Sequence, residues 1–261
     1  MDKNGAATIL SVANQKGGVG KTTTTVNLGA TLAYVYSKKV LLVDIDPQGN
    51  LTDNLNIDVN DKNTIYEVLK GETTAKETIQ NYAENIDVLG SDIALAAAER
   101  EFTQVGSEHR LKKALEPVIS EYDYIILDAP PSLGMLTVNA FTASNEIIIP
   151  IKPSIFSLKG FIKLNETIET VQEFTNEELT IRGILITGYN DRINIYKEMK
   201  ESAEQIAAYI KAPIFDSYIR STVIVDESQA AGQDLISFSK SSTAEEDYIS
   251  FTEEYLRMVG E

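Results

Sequence analysis

The stretch "SVANQKGGVGKTTTT" at residues 11–25 decides the fold. It nearly matches the phosphate-loop pattern G-x-x-x-x-G-K-[ST], with Gly20, Lys21 and Thr22 in their places. Where the pattern's first glycine belongs stands Gln15, and Lys16 follows it. An apolar, β-branched run predicts a strand over Thr8–Ala13 before the loop, and an amphipathic segment predicts a helix over Lys21–Ser37 after it. Gly17, Gly18 and Gly20 carry no side chains, so successive backbone N–H groups, that of Val19 among them, can turn toward phosphate oxygens. The helix points its positive N-terminal end at the same anion. In this geometry Lys21 reaches the β- and γ-phosphates, the Thr22 hydroxyl ligates Mg²⁺, and Thr23 bonds an inner phosphate.

Working outward, short apolar runs alternate with longer amphipathic segments. Further strands are predicted over Val40–Ile45, Ile86–Leu89, Tyr124–Leu127, Glu146–Pro150, Ile181–Thr187 and Pro213–Phe215. Further helices are predicted over Leu111–Glu121, Leu133–Ala143, Leu158–Phe174, Tyr196–Ile210, Thr222–Ala231 and Ala244–Met258. The strands are apolar almost throughout, as strands covered on both faces must be. The expectation is an α/β fold: one doubly wound, mostly parallel sheet with helices on both faces, of the P-loop NTPase type, forming a single domain over residues 1–261. Asn56–Thr64 and Thr175–Leu179 read as surface loops. "EEDYISFTEEYL" (245–256) reads as a solvated acidic helix face with Tyr248, Phe251 and Tyr255 turned inward.

Acids at strand ends supply what the phosphate loop lacks. "YIILDAPP" puts Asp128 at the carboxyl end of an apolar strand, and "VLLVDIDPQGN" puts Asp44 and Asp46 after another. Alternate residues of a strand share a side, so Asp44 and Asp46 can converge on one site. Together with Asp128 they balance the charge of a magnesium–triphosphate centre, and one of them can orient the attacking water.

Composition excludes other chemistries. The 261 residues contain no cysteine and one histidine, His109, which removes iron–sulfur and histidine-rich zinc sites. No secretion signal opens the chain and no run reaches the roughly 18 apolar residues of a membrane span, so the expected location is cytoplasmic. The net charge of −16 leaves any nucleic-acid surface to a local basic patch.

Three motifs in order, "KGGVGKTT", "LLVDIDPQGN" and "IILDAPPSLG", resemble the ParA/MinD family of deviant Walker ATPases, in its ParA branch. The resemblance runs on through "GILITGYNDR" and "IRSTVIVDESQAAGQDL" to "EDYISFTEEYL", over essentially the whole chain. It implies an ATPase with ATP and Mg²⁺ as cofactors. Lys16 matches the family's signature lysine, which reaches across an ATP-dependent homodimer to phosphates held by the partner. Asp46 matches the water-positioning residue, Asp44 and Asp128 the magnesium support, and Asn190 an adenine contact. Arg192 and Arg220 match positions that bind DNA nonspecifically.

The resemblance further implies DNA partitioning by a bacterial, nucleoid-associated protein, in which a cargo-bound ParB-like partner or other adaptor stimulates hydrolysis. With its first strand starting at Thr8, the chain is expected to lack an N-terminal DNA-binding extension and to repress no specific operator. Two other readings stay open: a ParA-like ATPase that positions a protein cargo, and a non-catalytic nucleotide-dependent interaction switch. The acidic ending "EEYLRMVGE" is unsuited to a membrane-binding amphipathic tail, and the isolated tyrosines of the last helix are unsuited to a tyrosine-kinase tail.

Overall fold

The computed structural model describes residues 6–152, 158–189 and 195–261, apart from the side chains of 158–159 and 195–202. These residues build an eight-stranded sheet from β1 (Thr8–Val12), β2 (Val40–Asp44), β3 (Gln80–Ala83), β4 (Ile86–Leu89), β5 (Tyr124–Asp128), β6 (Glu146–Ile151), β7 (Thr180–Tyr189) and β8 (Ile214–Arg220). The spatial order is β3-β4-β2-β5-β1-β6-β7-β8. Every pairing is parallel except that of β3 with β4. Alternation sorts the central strands between two cores. Ile9, Leu41, Val43, Ile125 and Leu127 face helices Met135–Ala143 and Leu158–Phe174. Leu10, Val12, Val40, Leu42 and Ile126 face helices Lys21–Tyr34 and Thr243–Val259. Helices therefore cover both faces, as the periodicity predicts.

Register places the chemistry. Val12 lies beside Asp128, and Asp128 beside Asp44, across β1, β5 and β2. Laterally paired residues of parallel strands point to the same side. The phosphate loop leaving β1 thus meets two carboxylates at the carboxyl edge of the sheet, beside the point where the strand order reverses, the usual ligand crevice of a doubly wound sheet.

Several expectations need correction. The first helix stops at Tyr34 rather than Ser37, because Ser37 takes a left-handed φ of 54° and the Lys38 N–H bonds back to Leu32 O at 3.0 Å. The expected helix Leu111–Glu121 covers only Arg110–Leu115, followed by a separate 3₁₀ turn at Ile119–Glu121. Pro117, with no N–H to give and a ring that crowds the preceding turn, breaks it. Strand β3, "QNYA", is half-polar and pairs only on one side, so it has no apolar signature. Strand β8 extends past Phe215 to Arg220, with Phe215 and Ile219 buried and Asp216 exposed.

The last helix is less solvated than its acidity suggests. Tyr248, Phe251 and Tyr255 are buried as expected, but so are Asp247 and Glu254. Glu254 accepts from the N–H groups of Asp216 and Ser217, both at 2.8 Å, and Asp247 from that of Arg220 at 2.8 Å. These carboxylates occupy outward backbone donors of an edge strand, which protects it from pairing with another chain. Among the described residues no helix is long and apolar enough to cross a membrane.

One tight contact fixes β7 against β8. A Cβ at Gly183 would stand 2.6 Å from the Phe215 ring, which is itself held edge-on against Phe251 at 4.9 Å. Gly183→Val should therefore destabilise the chain by about 1–3 kcal/mol in urea unfolding, and adding Phe215→Leu should recover part of that loss. Unchanged stability in Gly183→Val would contradict the contact.

Candidate nucleotide site

The loop between β1 and its helix is braced at both ends. Asn14 donates through Nδ2 to Pro150 O at 2.8 Å and accepts the Lys16 N–H at 3.0 Å. The Thr187 hydroxyl of β7 lies 2.8 Å from Val19 O and 3.1 Å from Ile151 O, which pins the loop to the far strands. Gly18 and Gly20 hold φ values of 72° and 84°, the left-handed region that a side chain would strain. Gly20 caps the helix with no side chain bonded to its first turn, so the N-terminal amides remain available to an anion.

The two lysines of this loop part company. Lys21 is buried at 8% exposure and donates to Lys16 O at 3.4 Å. Burial lowers its pKa, against the pull of Asp128 and then Asp46. Lys16 is exposed, and among the described residues its ammonium makes no hydrogen bond or ion pair.

Asp128 is 1% exposed. Its Oδ2 accepts the Thr22 hydroxyl at 2.6 Å, while Oδ1 is buried without a partner. Burial first, and then the neighbouring Asp44, pushes its pKa up to about 8. Asp44 is raised to about 6, chiefly by burial, with three hydrogen bonds opposing the rise. Those bonds come from the Thr52 N–H at 3.0 Å, the Thr52 hydroxyl at 2.8 Å and the Asp46 N–H at 3.1 Å. Asp46 is 6% exposed and accepts the Gln48 N–H at 3.0 Å, while its own carbonyl takes the Ser91 hydroxyl at 3.0 Å.

This donor set fits magnesium. A hard cation held by one hydroxyl, phosphate oxygens and water suits Thr22, with the orphaned Asp128 oxygen beside it. Among the described residues no three carboxylates or imidazoles form a closed metal cage. Asp44, expected with Asp128 to support magnesium, accepts three hydrogen bonds from Thr52 and the Asp46 N–H, which tie it to the turn that carries Asp46.

Other expected residues fare differently. Arg220 is tied to Asp247 through Nε at 3.0 Å and Nη2 at 2.6 Å, and Nη2 also reaches Thr243 O at 3.2 Å. Its charge is thus neutralised inside the chain rather than offered freely to a phosphate. Asn190 and Arg192 lie outside the described residues. Residues without a sequence signal complete the site: Asn14, Thr52 and Thr187 above, and Glu99. Glu99 accepts the Met135 and Leu136 N–H groups at 2.7 and 3.3 Å and so fixes the end of the loop that leaves Asp128. Between the phosphate loop and helix Val223–Ala230 opens a cleft of about 230 Å³, lined by Gly20, Thr23, Thr187, Thr222, Gln229 and Tyr248 among others.

A glycine loop at a helix N-terminus, a buried lysine and a Thr–Asp pair at the carboxyl edge of a parallel sheet define a P-loop nucleotide-binding protein. Comparison with known proteins narrows this class. Residues 7–181 match a family described as an AAA domain. The chain is 41% identical over 249 residues to the sporulation initiation inhibitor protein Soj of Bacillus subtilis, covering 94% of this chain and 97% of Soj. It is 37% identical to the chromosome partitioning protein ParA of Myxococcus xanthus, over 95% of this chain and 88% of that one. A crystal structure of cobyrinic acid a,c-diamide synthase from Mycobacterium smegmatis, with bound ATP analogue and magnesium, superposes with a TM-score of 0.84 at 33% identity, covering 96% of this chain and 95% of that one. The chain belongs to this AAA-domain family and, within it, to the ParA-type partitioning ATPases.

The raised Asp128 pKa has a consequence for stability. A carboxyl held above its ordinary 3.8 binds its proton more tightly in the folded chain, so stability falls as pH rises from about 4 to about 8. Asp128→Asn removes that loss while keeping an acceptor for Thr22. In magnesium- and nucleotide-free buffer its gain in melting temperature over the parent should be larger at pH 8.5 than at pH 5. An equal difference at both pH values would contradict the assignment.

Proposed function

We propose that the whole chain acts as one Mg²⁺- and ATP-dependent switch that pairs with a second copy when loaded, hydrolyses ATP, and thereby positions DNA. Membership in the ParA-type ATPases supports the partitioning role, and the nucleotide and magnesium in the M. smegmatis structure support the cofactors. The observation that carries the reading is the division of labour between Lys21 and Lys16: one lysine turned into the loop, the other left exposed at its rim.

In this reading Gly17, Gly18, Val19 and Gly20 present amides to the phosphates, Lys21 neutralises the β- and γ-phosphates, and Thr23 bonds the inner one. Thr22 would hold the magnesium, with Asp128 and Asp44 supporting it. Asp46 orients the attacking water. Lys16 of each copy enters the neighbour's site and stabilises charge on the transferring phosphoryl group, so that the complete catalytic centre exists only in the pair. Loss of the γ-phosphate removes the anion between the two lysines and weakens the dimer. Asn190 contacts the adenine, and a ParB-like or other adaptor accelerates the cycle in a bacterial cytoplasm.

DNA as the scaffold rests on Arg192 together with Arg220, which would have to exchange Asp247 for phosphate. The ion pairing of Arg220 with Asp247 and the net charge of −16 are the observations that keep a second reading, in which a ParA-like cycle positions a protein cargo.

Light scattering and phosphate release test the switch. With MgATP, Asp46→Ala should double in mass and stop turnover, whereas Lys16→Ala should bind ATP yet stay monomeric. An unchanged dimer in Lys16→Ala would refute the cross-subunit lysine, and normal phosphate release by Asp46→Ala would refute its role. For the scaffold, the ATP-loaded Asp46→Ala protein should bind unrelated duplexes with similar affinity and a steep loss with added salt. No binding at low salt would leave the protein-cargo reading.

A further inference from the structure

A side-chain hydrogen bond ties helix Val223–Ala230 to the phosphate-loop helix Lys21–Tyr34, and the start of the next helix, Leu235–Phe238, is tied to the same face. Gln229 donates through Nε2 to the Thr23 hydroxyl oxygen at 2.9 Å. One turn further along that helix, Asn27 accepts the Leu235 N–H at 2.9 Å and donates through Nδ2 to Thr23 O at 2.8 Å. Thr23 and Asn27 are four residues apart and so share a face. Gln229 and Thr23 both line the cleft of about 230 Å³ beside the loop.

From this we infer that Gln229 is a positioning residue that aims the Thr23 hydroxyl at the inner phosphate of the nucleotide. The inference rests on the nucleotide reading above. A threonine hydroxyl has one proton and two lone pairs. In a helix it commonly gives that proton to the carbonyl four residues back, as Thr25 does to Lys21 O at 3.1 Å. Thr23 doing the same would bond Val19 O, a carbonyl already engaged by Thr187. The Gln229 amide fills a lone pair of the Thr23 oxygen and leaves the proton free for an anion. Donation from Gln229 also polarises the hydroxyl and strengthens it as a donor. Because an inner phosphate is common to ADP and ATP, the contribution falls on binding of both and not on the hydrolytic step.

Titration calorimetry with Mg-ADP and with a non-hydrolysable Mg-ATP analogue tests this. Gln229→Leu should weaken both ligands by roughly three- to tenfold, the range of one neutral hydrogen bond. Its KM for ATP should rise with little change in kcat. Thr23→Val combined with Gln229→Leu should be no weaker than Thr23→Val alone, since the second change removes a group with nothing left to orient. The near-isosteric Gln229→Glu should bind worse than Gln229→Leu, because a carboxylate takes the Thr23 proton and repels phosphate. Parent-like affinity in Gln229→Leu or Gln229→Glu, or additive losses in the double variant, would overturn the inference and leave the nucleotide site standing. Failure of the parent chain to bind either ligand would overturn the nucleotide reading itself.

Discussion

Two carboxylates side by side on adjacent strands, sealed from water with the buried Lys21 ammonium close by, set the electrostatics of this fold. Asp44 and Asp128 are fixed as lateral neighbours by the register of β2 against β5, so neither can withdraw from the other. Isolated ions in such surroundings are costly, and the chain answers with hydrogen bonds wherever it can. Asp44 receives three, two from Thr52 and one from the Asp46 amide. Asp128 receives one, from the Thr22 hydroxyl, which leaves its other oxygen buried without a partner and its pKa raised.

The loop extends the same logic to the anion. Lys21 is held out of water with its pKa lowered by burial, and the first amides of its helix have no side-chain cap. The unpartnered Asp128 oxygen, suited to a cation, therefore adjoins the buried Lys21 and the uncapped helix amides, suited to an anion. A magnesium–triphosphate supplies both at once, which makes the ligand a part of the electrostatic balance of the core. Stability given up at such a place is a common accompaniment of function. Lys16 stands exposed beside the same loop, where the proposed contact with a second copy would need it.

Much of this was legible in the sequence because its signals are local. A strand, a glycine loop and a helix follow one another within residues 8–34, and acids at the ends of apolar runs announce Asp44, Asp46 and Asp128. The burial of Tyr248, Phe251 and Tyr255 follows from helical spacing alone. What escaped depends on distant partners. Nothing about Thr52, Glu99 or Gln229 distinguishes them from surface residues until the fold brings them to Asp44, Met135 and Thr23. Strand β3 carries no apolar alternation because only one of its edges is paired. The acidity of the last helix misled for a related reason: Asp247 and Glu254 serve the backbone of β8, a partner that composition cannot reveal.

Burial and the adjacent Asp44 raise the Asp128 pKa to about 8, so magnesium binding at neutral pH is expected to displace a proton from this carboxyl. Calorimetric titration of Mg-ATP into the protein at pH 7, repeated in buffers of different ionisation enthalpy, measures that proton directly. A net release that vanishes in Asp128→Asn is the expected result. Binding with no proton exchange, or the same release from the Asp128→Asn variant, would contradict the account.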